Sequence, residues 1–206
     1  MTALERFLRY VTYDTQSSET SETTPSTPKQ RLLGEALAQE LQDLGLEGAH
    51  LAENGAVYAW LPATPGREEV PVLALIAHMD TAPRVPSENV QARVVHYEGG
   101  DLVLNQEKGI VTTLKEFPDL AGQVGKDLVV TDGTTLLGAD DKAGIAEILT
   151  AMEHLLAHPE RPHGRVAVCF TPDEEVGTGA DYVDLDKLGA DFGYTVDGGP
   201  LGGLEY

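Results

Sequence analysis

The sequence predicts an α/β fold: a mixed, mostly parallel sheet with helices on both faces. Stretches with apolar residues at helical spacing alternate with short continuous apolar runs of strand length. The 206 residues, 41% of them hydrophobic, are enough to bury a substantial core.

The elements follow in chain order. Leu4, Phe7, Leu8 and Val11 repeat at helical spacing, and the Ser/Thr/Glu-rich stretch from Tyr13 to Pro28, with two prolines, reads as a loop. From about Lys29, Leu32, Leu33, Ala36, Leu37, Leu41 and Leu44 share one face of a longer helix, which Gly45 is placed to stop. Val57 to Leu61 reads as a strand closed by Pro62. Val72 to Ala77 is continuously apolar, as expected of a strand covered on both faces. The region from Arg93 to Val130 mixes short β-prone pieces with turn residues and predicts hairpins projecting from the sheet. Ile145, Ile148, Leu149, Met152, Leu155 and Leu156 place a helix over 141–157, and Val166 to Phe170 and Phe192 to Val196 are two further strands.

Bulk properties narrow the function. A formal charge of −20 argues against nucleic acid and anionic membranes as partners and favours cations, although a solvated acidic surface accounts for most of the excess. No stretch approaches the apolar length needed to cross a bilayer, and Met1 to Arg6 lacks the basic start and apolar core of a signal peptide, so a cytoplasmic protein is expected. Cys169, the only cysteine, lies within an apolar run and is expected to be a small buried hydrophobe rather than a catalytic thiol.

Four short motifs carry the chemistry: His78-Met79-Asp80, Gly138-Ala139-Asp140-Asp141-Lys142, Asp173-Glu174-Glu175 and Val196-Asp197-Gly198-Gly199. Three follow a strand and one opens a helix, and ligands in open α/β sheets bind outside the carboxyl ends of strands. Imidazole and carboxylate are the ligands that a pair of zinc ions needs. In an extended segment His78 and Asp80 project to the same side, so Asp80 can accept the ring N–H left over from metal binding. The Glu174-Glu175 pair, read as extended, points its carboxylates in different directions, one to metal and one to a water. The glycines after Asp197 allow a close backbone approach. Each motif alone has an ordinary structural reading: a hydrogen-bonded pair, a helix N-cap, an acidic turn, a turn aspartate. Those readings do not survive jointly, because the four occur together, in one order, after the right elements.

The series Ile76-Ala-His-Met-Asp80, Leu137-Gly-Ala-Asp-Asp-Lys-Ala-Gly144, Phe170-Thr-Pro-Asp-Glu-Glu-Val-Gly177 and Tyr194-Thr-Val-Asp-Gly-Gly199 resembles the peptidase T family. These are cytoplasmic aminotripeptidases of the two-zinc exopeptidase group that also holds carboxypeptidases and aminoacylases. Leu4 to Val11 and Asp14-Thr-Gln-Ser17 are similar too. The T-P-D-E-E-V-G and T-V-D-G-G stretches are the more specific to tripeptidases. The resemblance implies that His78 and Asp197 bind one zinc, that Asp140 bridges it to a second, and that Glu175 binds the second. Glu174 would be the general base and Asp80 would orient His78. A non-proline cis peptide is implied between Asp140 and Asp141.

The family takes one more histidine for the second zinc from near the end of a longer chain. His50, His96, His154, His158 and His163 match no ligand motif and are expected not to be ligands. Residues 1–206 are therefore expected to be the N-terminal, larger part of a catalytic domain, without an inserted lid domain or the rest of the sheet. Such a chain would turn over tripeptides slowly, if at all, and an open sheet edge would invite self-association or a homodimer. A di- or carboxypeptidase or deacylase of the same group, and a non-catalytic metal-stabilised interaction domain, are the competing readings.

Overall fold

In the computed structural model, residues 1–181, 183–199 and 202–204 are described. The chain forms two compact units, one of residues 1–84 and 138–206, the other of residues 85–137.

The first unit is built on a five-stranded sheet of β1 (Glu47–Leu51), β2 (Val57–Leu61), β3 (Leu73–His78), β8 (Val166–Thr171) and β9 (Phe192–Thr195), in the order β1-β2-β8-β3-β9. Strands β8, β3 and β9 run parallel, whereas β1, β2 and β8 pair antiparallel. The expected mixed sheet is therefore present. Helix α1 (Ala3–Tyr10) opens with a capping box in which Thr2 and Glu5 satisfy each other's amides. Helix α2 (Gln30–Leu44) ends at Gly45, whose φ of 92° is the left-handed conformation that glycine adopts freely.

Both faces of the sheet are covered. Helix α2 lies so close to one face that a Cβ on Gly34 would stand 2.8 Å from Leu51 Cδ1. On that face Val57, Ala59, Leu61, Val166, Val168 and Phe170 are all buried. Helix α3 (Ala139–Ala157) packs on β3 and α1. On the other face Tyr58, Trp60, Ala74, Ala167 and Cys169 cluster around Leu188 of the short α4 (Leu185–Leu188), and the Trp60 indole donates to the Leu188 carbonyl at 3.1 Å. Cys169 is fully buried there, as expected.

Among the strands, two features depart from the expectation. Strand β1 is absent from the sequence reading because Glu47-Gly-Ala-His-Leu51 has no apolar run; it becomes a strand by pairing with β2. In the second unit, β4 (Arg93–His96) pairs not with its neighbour but with β7 (Asp127–Val130), enclosing a hairpin of β5 (Leu102–Asn105) and β6 (Ile110–Thr112). Hairpins are the expectation, and β5–β6 is one; the β4–β7 pair around it is a long-range contact that local turn residues do not announce. Among the described residues no helix is long and apolar enough to cross a membrane.

A candidate metal centre at the strand ends

The parallel register brings the motifs together. His78 pairs with Thr171 at the ends of β3 and β8, and Ile76 pairs with Thr195 at the end of β9. Backbone bonds continue the pairing past the strands: Met79 N donates to Thr171 O and Val196 N to Ile76 O, both at 2.8 Å. Asp80, Asp173 and Asp197 therefore leave the same edge of the sheet, each just beyond its strand.

Helix α3 supplies the fourth piece. Its N-cap is Gly138, with a φ of 74°, and Asp140 and Asp141 have non-helical backbone angles joined by a cis peptide bond. Asp140 is thus not the side-chain N-cap that its position allowed. Its carboxylate is 63% exposed and Oδ1 lies 2.8 Å from His78 Nε2.

Two groups of side chains offer ligand atoms within 4.8 Å of one another: His78 with Asp140 and Glu175, and His78 with Asp141 and Asp197. All four residues expected as ligands fall in these groups, which share His78. Asp141 joins them as well, but its oxygens already accept the His78 backbone N–H at 3.1 Å and the Gly144 N–H at 3.2 Å. The other five histidines lie outside both groups, among the described residues.

The donor set fits zinc. One imidazole and several carboxylates at short range match its preferences, and the ring is oriented from behind as metal-bound histidines usually are. His78 Nδ1 lies 3.1 Å from the Asp80 carbonyl oxygen and 3.3 Å from its carboxylate. Charge argues the same way. Burial pushes the Glu175 carboxyl up, and Asp140, Asp80 and Glu174 add to this against the opposing influence of His78. Burial likewise pushes Asp141 up to about 8, with His78 opposing and Asp197 reinforcing. Crowded carboxylates of this kind are relieved by a cation.

Asp80 also reaches the glutamate pair. Fully buried, it accepts the Glu174 N–H at 2.9 Å and the Glu175 N–H at 3.1 Å. Glu174 and Glu175 stand in a 3₁₀ turn rather than the extended segment expected, so the separation of their carboxylates comes from the turn. Glu174 Oε2 lies 3.8 Å from His78 Nε2, at the margin of the cluster. The close backbone approach expected at Gly198 and Gly199 falls elsewhere. A Cβ on Gly198 would have only ordinary contact with Asp140, whereas one on Gly144 would collide with the Val196 carbonyl and the Asp141 carboxylate. Beside the cluster an open pocket of about 740 Å³ is lined by Asp140, Asp141, Glu147, Tyr194 and Asp197, among others.

In fold and in the motifs of this cluster the chain is similar to a class of peptidases. Residues 130–203, which hold Asp140, Glu174, Glu175 and Asp197, match the profile of Peptidase family M20/M25/M40. Along its whole length the chain resembles Peptidase T: the relative of that name from Clostridium acetobutylicum is 55% identical over 205 residues, 99% of this chain and 50% of the relative. Among solved structures, the aminopeptidase PepT from Bacillus cereus is similar with a TM-score of 0.65 and 25% identity, over 95% of this chain and 43% of that one. A tripeptidase from Staphylococcus aureus gives 0.63 and 28%, over 96% and 43% of the respective chains. The chain spans about half the length of the curated relatives it matches.

Proposed function

We propose that the chain carries most of the metal-binding residues, and the general base, of a zinc-dependent aminopeptidase that releases the N-terminal residue from tripeptides, with one histidine ligand of the second zinc not among its residues. The observation that carries this reading is the convergence of one imidazole and four carboxylates from three strand ends and one helix start, with Glu174 beside them. His78 and Asp197 would hold one cation, Glu175 the second, and Asp140 would bridge the two. Zinc bound there supplies Lewis acidity, polarising a peptide carbonyl and making a water more acidic. Glu174 would take a proton from the attacking water and return it to the departing amine nitrogen. Asp80 would hold His78 and the Glu174–Glu175 turn at once, keeping base and ligands at a fixed separation.

The tripeptide preference rests on the likeness to Peptidase T and to a solved tripeptidase. A cytoplasmic setting and self-association through the edge of β9 belong to the same proposal, supported by the family resemblance and by the exposure of that strand.

Metal analysis and peptide assays test it. Wild type and Glu174→Gln should hold zinc alike, and His78→Ala should lose it. Hydrolysis of tripeptides, assayed beside dipeptides and acylated substrates on protein of the relatives' full length, should fall about 10²–10⁴-fold in Glu174→Gln. Zinc retained by His78→Ala, or hydrolysis untouched in Glu174→Gln, overturns the reading.

A further inference from the structure

The residue ahead of the glutamate pair is Asp173, whose carboxylate accepts hydrogen bonds from Ser26 and Gln30. It is 1% exposed and adopts a left-handed backbone with φ of 61°, which aspartate tolerates better than most residues. That conformation turns the chain back after β8, so that Glu174 and Glu175 lie over Asp80. The Asp173 carboxylate accepts from the Ser26 N–H at 2.7 Å, the Ser26 hydroxyl at 2.5 Å and the Gln30 amide at 2.7 Å. In return the Asp173 N–H donates to Gln30 Oε1 at 3.3 Å. Ser26 Oγ also accepts the Ser18 N–H at 2.9 Å, which joins the loop before α2 to the same buried cluster. Ser26 and Gln30 are themselves buried.

The physical consequence is a backbone held from two sides. Asp80 grips the amides of Glu174 and Glu175, and Asp173 anchors the residue before them to α2 and its preceding loop. A buried carboxylate is costly unless its hydrogen bonds are filled, and here three donors fill them. The Glu174 side chain is 53% exposed, so little packing holds it, and its position depends on the backbone beneath it.

We propose that Ser26, Gln30 and Asp173 are positioning residues that fix where the Glu174–Glu175 turn presents its carboxylates. The Ser/Thr-rich loop thereby becomes part of the site although it contributes no ligand. The proposal rests on Glu174 and Glu175 having the roles given above, and it deepens that reading.

The test compares the wild-type chain with Ser26→Ala, Ser26→Thr and, should Ser26→Ala not fold, Gln30→Met. Site-resolved hydrogen exchange follows the Glu174 and Glu175 amides, and cobalt titration of the chain follows the ligand cluster. Ser26→Ala should speed exchange of those two amides and weaken cobalt binding about tenfold each, the scale of one hydrogen bond to a charged group. Protection in β8 should be kept, and Ser26→Thr should restore both properties. Unchanged exchange at 174 and 175, faster exchange that is uniform with β8, or cobalt binding equal to wild type overturns the proposal. A wild-type chain that binds no cobalt counts against the proposed function alone, and the exchange pattern then decides this inference.

Discussion

Burial by itself would drive the His78 imidazole toward its neutral form. The hydrogen bond and charge of Asp80, then Asp140 and Asp141, outweigh burial and push the ring up to about 10. A cation that takes a nitrogen of this ring must therefore displace a proton at neutral pH. Zinc affinity of the chain is expected to rise roughly tenfold per pH unit between about pH 6 and 9, measured by calorimetry in buffers of differing ionisation enthalpy. An affinity independent of pH would contradict the assignment of His78. The same shift sets the sign for the metal-free fold: the stability from this pairing is complete below the ordinary histidine value and is lost as pH climbs through about 10. At this scale the meeting of His78 with Asp140, Glu175 and Asp197 was legible, because strand-end histidine and carboxylates have few other uses in combination. The second task of Asp80 and the anchoring by Asp173 were not, since both depend on amides and side chains brought in by other segments.

At the scale of elements, the junction of α3 with the end of β9 is the most tightly built. The Val196 carbonyl and the Asp141 carboxylate occupy the space a side chain on Gly144 would need, and backbone cannot yield as a flexible side chain can. Gly144→Ala should destabilise the chain by about 1–3 kcal/mol and weaken zinc binding through Asp197, checked by denaturant unfolding and metal titration. Unfolding unchanged from wild type would show the approach to be looser than described. Strand β8 offers a second check. Burial pushes the Cys169 thiol up to about 12, with Tyr58 opposing, so iodoacetamide at pH 8 should leave it unlabelled in the folded chain and label it fully in urea. Rapid labelling of the native chain would place that strand near solvent. Helices α1, α2 and α3 and strands β2, β3, β8 and β9 were readable because their apolar spacing matches their geometry. Strand β1 was not, for its residues are polar or small and only the ladder to β2 makes them a strand.

For the whole molecule, charge and the exposed strand β9 pull in opposite directions. Among the described residues β9 pairs only with β3, and Phe192 and Tyr194 are about half exposed on it. A formal charge of −20 repels a second copy at low ionic strength, and salt screens that repulsion to within about 10 Å at 0.1 M. Light scattering should show the mass of the chain rising between about 0.05 and 0.5 M salt, with Tyr194→Lys suppressing the rise. A mass independent of salt and concentration would refute pairing through this edge. What the sequence determined by itself was the alternation of helix and strand, the residue types of the four motifs and their placement at three strand ends and one helix start, all of which depend on local spacing and residue type. The tertiary structure decided that three strand ends coincide in register, that the glutamate pair sits in a turn held by two buried carboxylates, and that Gly144 rather than Gly198 is the crowded glycine. Those outcomes are distances between residues far apart in the chain, and local propensity carries no information about them.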